Sequence, residues 1–259
     1  MPPSLAPRQL ICNINFTYRR DTYMDFSQGL TPARLIRRYK RFLADVEIED
    51  GTIITVYCPN TGTMRTCSTP NSPVMLSISD NPKRKYAHTL EMIFENHTWI
   101  GVNTGRTNSI VAKAILNGSI AEFSGATKVQ REITVSKGSR LDLLVDHADQ
   151  KSYIEIKNCS MAENRRAMFP DAVTARGTKH LRELIKLVKQ GENAYIFFLI
   201  QREDADSFSP ATHIDPLYAN TLKEALQQGV QALAYQASVI LRALPIILNG
   251  SNSPHLPQR

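Results

Sequence analysis

The pattern of hydrophobic and polar positions changes character near residue 110. From Arg34 to Val102 the apolar residues come in short runs separated by turn residues. Phe42–Ile48 leads through Glu49-Asp50-Gly51 into Ile53–Tyr57, a hairpin with Asp-Gly at its turn. Pro59-Asn60-Thr61-Gly62 predicts a loop, Val74–Ile78 a further strand, and Leu90–Phe94 with Thr98–Val102 another pair. About five short strands in such a span predict a small β-barrel of OB-like type. Beyond residue 110 the period lengthens. Asn108–Leu116 predicts a helix closed by Asn117-Gly118. Leu181, Leu184, Ile185 and Val188 form an i, i+3, i+4, i+7 stripe on a helix that follows Pro170-Asp171 and stops at Gly191. Asn193–Ile200 is almost wholly apolar, as a strand buried on both faces requires. Asp215-Pro216 caps a second helix ending near Gly229, and Val230–Tyr235 reads as a strand. The fold class is therefore α/β with a mixed sheet, behind an N-terminal β-barrel.

One hairpin in the second half carries candidate chemistry. Ser139-Arg140-Leu141-Asp142-Leu143-Leu144-Val145 is followed, after a polar turn at 147–151, by Tyr153-Ile154-Glu155-Ile156-Lys157. Alternate side chains of a strand share a face. Leu141, Leu143 and Val145 then form one apolar face with Arg140 and Asp142 opposite, and Ile154 and Ile156 point away from Glu155 and Lys157. Aligning the apolar faces brings Asp142, Glu155 and Lys157 together. Mg²⁺ takes one or two carboxylates, keeps several waters and shares phosphate oxygens with a substrate. Asp142 and Glu155 suit that ion (or Mn²⁺), and Lys157 suits an attacking water or a phosphate.

Composition narrows the classes without choosing among them. The 259 residues are 42% hydrophobic and 21% charged, the profile of a globular protein with room for two domains. The longest apolar run, Ala194 to Ile200, is too short to span a bilayer, and residues 1–23 lack the apolar core of a signal peptide. Met24 is a plausible alternative start. Cys12, Cys58, Cys67 and Cys159 form no CxxC pair and no disulfide framework, which points to reduced thiols in the cytoplasm. The net charge of +7 is unevenly placed. Arg34, Arg37, Arg38, Lys40 and Arg41 crowd one segment, and Lys83, Arg84 and Lys85 stand beside Tyr86. Basic clusters interleaved with tyrosine favour a nucleic-acid partner.

A carboxylate on one strand, Glu-x-Lys on the next, then a helix and a buried strand resembles the core of the PD-(D/E)xK nuclease superfamily. Arg38–Val46, Cys58–Gly62, Asn81–Tyr86, Arg140–Asp142, Ile154–Asn158 and Phe169–Thr174, with Arg176-Gly177 and Lys179-His180-Leu181, resemble the sugar fermentation stimulation protein A family. The likeness runs colinearly over residues 30–236, with Thr63 where a smaller residue is usual and Ala87 in place of a proline. It implies an OB-like domain over 31–107 joined to a nuclease-like α/β domain over 108–250, while composition alone predicts an irregular polar extension over 1–30 and a disordered Ser-, Asn- and Pro-rich tail over 251–259. The likeness also implies association with DNA and a regulatory role in sugar metabolism, maltose in particular, although no helix-turn-helix signal is present.

Residues and resemblance together predict a cytoplasmic DNA-binding protein with a Mg²⁺-dependent phosphodiesterase site. Asp142 and Glu155 would hold metal, Lys157 would serve the water or phosphate, and Arg37, Arg38, Lys40, Arg41, Lys83, Arg84, Lys85, Arg140, Arg176 and Lys179 would contact nucleic acid. The competing expectation is a non-catalytic DNA-binding regulator that keeps the fold. RNA or single strands are a further target class for an OB-like barrel. Glu122 and Glu132 are read as surface residues rather than a further carboxylate ligand. His180 is read either as a phosphate contact or as a structural histidine, and Asn60-Thr61-Gly62 as a structural turn with backbone N–H groups within reach of an anion.

Overall fold

The computed structural model describes residues 12–13, 29–147 and 150–239. Most of the expected extension, the tip of the central hairpin and the tail from Ser251 lie outside the described residues. A two-residue strand, β1 (Cys12–Asn13), precedes the barrel strands β2 (Thr31–Tyr39), β3 (Leu43–Ile48), β4 (Ile53–Tyr57), β5 (Pro73–Ile78), β6 (His88–Glu95) and β7 (Thr98–Gly101). The last six pair in the order β4-β3-β2-β5-β6-β7, and a parallel contact of Tyr57 with Thr89 joins β4 to β6. Five strands thus close into a barrel, which leaves them no free edge. Leu35, Val46, Val56, Leu76, Leu90 and Ile100 fill it.

The basic run 34–41 proves to be the body and exit of β2. A register shift between Leu35 and Arg37 inserts one residue, so the side-chain alternation reverses there. Without it Arg37 would follow Ala33 and Leu35 into the barrel. With it Arg37 faces out opposite Asp45, and Arg38 turns inward opposite Ala44.

The second domain follows with α1 (Thr107–Leu116), β8 (Lys128–Ser136), β9 (Ser139–His147), β10 (Gln150–Cys159), β11 (Met161–Glu163), β12 (Arg166–Phe169), α2 (Ala175–Lys189), β13 (Asn193–Ile200), β14 (Ser207–Pro210), α3 (Pro216–Gln227) and β15 (Gln231–Gln236). Its main sheet runs β15-β13-β10-β9-β8, parallel at β15/β13/β10 and antiparallel beyond. One face packs on α2 and α3 through Leu181, Leu184, Ile196, Phe198, Tyr218 and Leu222. The other packs on α1 through Val111, Ile115, Ile154, Ile156, Phe197 and Leu199. Because β13 lies between covered faces, seven of its eight residues are buried. A small second sheet, β1-β14-β12-β11, was not foreseen. Among the described residues no helix is long and apolar enough to cross a membrane.

Strand β9 departs from the expected alternation. Leu143 and Val145 belong to the α1-side core, whereas Leu141 belongs to the α2-side core. The neighbouring strand reverses as well, since Val129 packs on the α1 side and Val135 on the α2 side. Between those pairs Glu132 adopts φ +57°, left-handed backbone that a strand interior rarely holds. The ladder pairs Arg131 with Leu143 and Ile133 with Leu141 on either side of it. The expectation that Leu141, Leu143 and Val145 share a face is thus corrected: both strands turn over at the level of Asp142.

The two domains are clasped. Thr63 Oγ1 donates to the Asp171 carbonyl at 2.7 Å, and Asp171 Oδ2 accepts from Met64 N at 3.0 Å. Gly62 allows this approach, because a Cβ there would lie 2.3 Å from the Asp171 carboxylate oxygens. Gly101 N donates to the Gln201 carbonyl at 2.8 Å, and buried Arg202 reaches Thr66 Oγ1 at 3.2 Å.

Candidate metal centre

The turnover of β9 decides where Asp142 goes. Its pairing with β10 runs from His147 to Leu143 and stops before Asp142. There Asp142 Oδ2 accepts the Ile156 backbone N–H at 2.7 Å, so the carboxylate occupies the gap where the ladder would continue. From the α1 side Asn108 Nδ2 donates to Asp142 Oδ1 at 2.8 Å. Asp142 therefore sits between the strands rather than on the Glu155 face. It remains close enough to Glu155 for their charges to interact. Burial first, and the Glu155 charge second, push the Asp142 carboxyl above its ordinary range.

Glu155 and Lys157 share the α2 face of β10, as period-two alternation requires. Glu155 is buried, and its Oε1 accepts from Lys157 Nζ at 2.5 Å and from His180 Nδ1. Burial alone would raise this carboxyl, but Lys157 and the His180 hydrogen bond outweigh it and hold the group below its usual value. Arg176 Nε donates to His180 Nε2 at 3.4 Å, which assigns the imidazole proton to Nδ1, facing Glu155. The second carboxylate oxygen, Oε2 of Glu155, is buried with no hydrogen-bond partner.

That orphaned oxygen is the structural test of a metal. A buried carboxylate oxygen left unpaired carries a large desolvation cost. A hard cation between Glu155 Oε2 and the Asp142 carboxylate would satisfy it, and both donors are oxygens, as Mg²⁺ or Mn²⁺ demands. Among the described residues no group of three or more His, Cys, Asp or Glu side chains could hold a metal ion. The remaining positions would thus fall to water and phosphate oxygens, the usual shell of Mg²⁺. Asn108 and His180, absent from the predicted metal-site set, hold the two carboxylates from opposite faces of the sheet.

The cations divide into three groups. Arg38 turns inward and donates to the carbonyls of Arg41, Asn60, Gly62 and Thr63 at 2.5–3.2 Å. It braces the 60–63 loop, so these donors are engaged within the barrel. Arg37 is exposed but paired with Asp45 at 2.9 Å and stacked over Tyr39. Lys40 and Arg41 stand in the β2–β3 turn, and Arg84 lies 5.5 Å over the Tyr57 ring with Lys83 and Lys85 beside it. Cys58 N donates to the Phe42 carbonyl, so both barrel clusters flank Tyr57 at its closure. Arg140, Arg176 and Lys179 belong to the second domain, where Arg140 meets exposed Glu132 at 3.4 Å. Glu122 instead accepts from Tyr235. The Asn60-Thr61-Gly62 turn is committed to Arg38 and to the Asp171 clasp, the structural reading of that loop. Cys58, Cys67 and Cys159 are free and buried.

Comparison with known proteins agrees with this architecture. Residues 36–102 match the family model described as the SfsA N-terminal OB domain, and residues 105–242 match the sugar fermentation stimulation protein RE domain. A sugar fermentation stimulation protein homolog of Geotalea uraniireducens is 50% identical over 210 residues, covering 81% of this chain and 91% of that protein. One from Shewanella sp. strain MR-4 is 47% identical over 83% of this chain and 94% of its own. Among solved structures, Pyrococcus furiosus SfsA in complex with Ca²⁺ aligns with TM-score 0.76 and 29% identity, covering 83% of this chain and 92% of that one. The barrel, the mixed sheet and the matches over nearly the whole described length lead to one conclusion: the chain belongs to the sugar fermentation stimulation protein family.

Proposed function

We propose that this protein binds DNA and hydrolyses its phosphodiester bonds with Mg²⁺ or Mn²⁺ at Asp142, Glu155 and Lys157. The observation that carries the reading is the buried, unpartnered Oε2 of Glu155 beside a second carboxylate whose ionisation burial disfavours. The archaeal relative's recorded complex with Ca²⁺, another oxygen-seeking cation, supports it. A bound divalent cation would acidify a water and offset charge developing on the phosphoryl oxygens. Asp142 and Glu155 would hold that cation, Asn108 orienting the first and His180 the second. The Lys157 ammonium has three donors and gives one to Glu155. The others would steady a phosphoryl oxygen or orient the attacking water, and the basic barrel would retain the polyanion.

Cleavage of single- and double-stranded DNA and RNA, with Mn²⁺ or with chelator, tests this reading. Asp142→Asn and Glu155→Gln should abolish metal-dependent cleavage yet bind DNA as the wild type does. Lys157→Ala should also abolish cleavage while Mn²⁺ titration still shows binding. If the wild type takes up no Mn²⁺ beside DNA and cuts no nucleic acid, the catalytic reading fails and a non-catalytic DNA-binding regulator stands in its place.

A further inference from the structure

A pocket of about 480 Å³ opens beside the carboxylate site, between the β8–β9 turn and the start of α2. Ser139, Arg140, Arg176, Lys179 and His180 line it. It shares His180 with the Glu155 site, so the imidazole forms a common wall. Three observations mark the pocket as a built anion site. Three of its lining side chains are permanent or near-permanent cations, and Glu132 offsets only Arg140. Arg176 occupies the first turn of α2, where the helix dipole disfavours positive charge, and Lys179 follows just beyond it. Among the described residues neither makes a direct ion pair: Arg176 donates to His180 and Lys179 to the Gly138 carbonyl, with Glu183 a more distant charge partner of Lys179. Finally, Ser139 is 3% exposed, lines the pocket, and its hydroxyl has no hydrogen-bond partner. A buried hydroxyl without a partner is costly, and local rules are broken in this way mainly at functional sites.

We propose that this pocket seats a second phosphate of the same nucleic-acid strand, next to the phosphate presented to Asp142 and Glu155. The inference rests on the nuclease reading above for the substrate's identity, but the residues varied to test it, Ser139, Arg140 and Arg176, are not the proposed metal ligands. Arg140 and Arg176 present planar donor forks suited to phosphate oxygens, Lys179 adds a point charge, and Ser139 Oγ–H completes the set. Successive phosphates of a strand are tethered one nucleotide apart, and His180 both contacts Glu155 and lines the pocket, so a phosphate laid over Glu155 would hold its neighbour near the His180 wall. That neighbour is either an internal phosphodiester or a terminal phosphomonoester, and the chemistry of capture is shared.

The test uses the full chain with chelator present, so that binding is read without cleavage. The probes are a linear DNA with a 5′-phosphate, the same DNA with a 5′-hydroxyl, one with a 3′-phosphate, and a closed circle. Ser139→Ala, Arg140→Ala and Arg176→Ala are compared with the wild type after thermal melts confirm folding. Each loss should weaken binding about tenfold, the scale of a charge-assisted hydrogen bond. Each arginine loss should also lower the log–log salt slope by about one. A terminal-phosphate source predicts that one phosphorylated end binds best and that the variants erase its advantage. An internal source predicts equal losses on circle and linear DNA. Unchanged affinity and salt slope in both arginine variants overturns the pocket, whatever the cleavage assay shows. Weakened binding together with no cleavage in Mn²⁺ keeps the pocket and removes the catalytic reading.

Discussion

Two carboxylates separated by one hairpin carry opposite ionisation demands, and the difference lies in their neighbours. Glu155 has Lys157 and His180 against it, while Asp142 has burial and the Glu155 charge to oppose it. For Asp142 the folded value lies above the unfolded one. Its stabilising contribution is therefore present below the ordinary carboxylate range and lost as pH rises through the folded value. Glu155 has the reverse sign, stabilising near neutrality and losing that contribution as pH falls through its depressed value. In chelated protein at pH 7, Asp142→Asn should raise Tm by about 2–4 °C for each kcal/mol of relief. That gain should vanish towards about pH 4, where free carboxylates protonate. Glu155→Gln should lower Tm at pH 7, leave the half-buried Lys157 without its carboxylate, and become less harmful in acid. Melting curves from pH 4 to 8 check both signs, and a uniform Asp142→Asn effect across that range would refute the electrostatic account.

At the scale of elements, the turnover at Asp142 has its own signature. Leu143 is fully buried on the α1 side, and Leu143→Ala should cost about 2–5 kcal/mol in denaturant unfolding. Leu141→Ala should cost a similar amount but through the α2 side. Hydrogen exchange then separates them: the first should loosen Thr107–Leu116, the second Ala175–Lys189. Loosening of the same helix in both variants would contradict the reversal. The elements themselves were largely legible. Asn193–Ile200 and Ile53–Tyr57 were read to the residue because each is a short, continuous apolar or hairpin-bounded run. Glu155 and Lys157 were placed on one face by period two alone. Asp142 was expected on that face and went elsewhere, because a left-handed Glu132 in the neighbouring strand breaks the alternation, and no composition rule announces it. The sheet β1-β14-β12-β11 joins strands of two to four residues from distant parts of the chain, too short to carry a periodic signal. Asn108 and His180 reach the carboxylates from helices, a tertiary approach that spacing cannot show.

At the scale of the whole molecule, the barrel's cations can be sorted by what they already hold. Arg38 is spent on four carbonyls of its own domain, so Arg38→Ala should lower Tm and disturb the 60–63 loop. Lys40 and Arg41 are the opposite case. Both are exposed, and both adopt left-handed backbone, φ 47° and 64°, where asparagine and glycine are the cheaper residues. Two long cations held in such conformations cost the turn stability rather than adding to it. Replacing the pair by Lys40→Asn with Arg41→Gly should relieve that strain and raise Tm. The Arg41 carbonyl that Arg38 grips is backbone and would survive the change. If the barrel holds a polyanion beside Tyr57, the same variant should bind DNA more weakly, with a log–log salt slope lower by about two. Lys83→Ala with Lys85→Ala should lower the slope by a like amount and leave Tm nearly unchanged, since neither lysine is committed to a carboxylate among the described residues. Stability and affinity moving in opposite directions in the turn variant would establish the turn as a binding element. A raised Tm with an unaltered salt slope would take this end of the barrel off the DNA path.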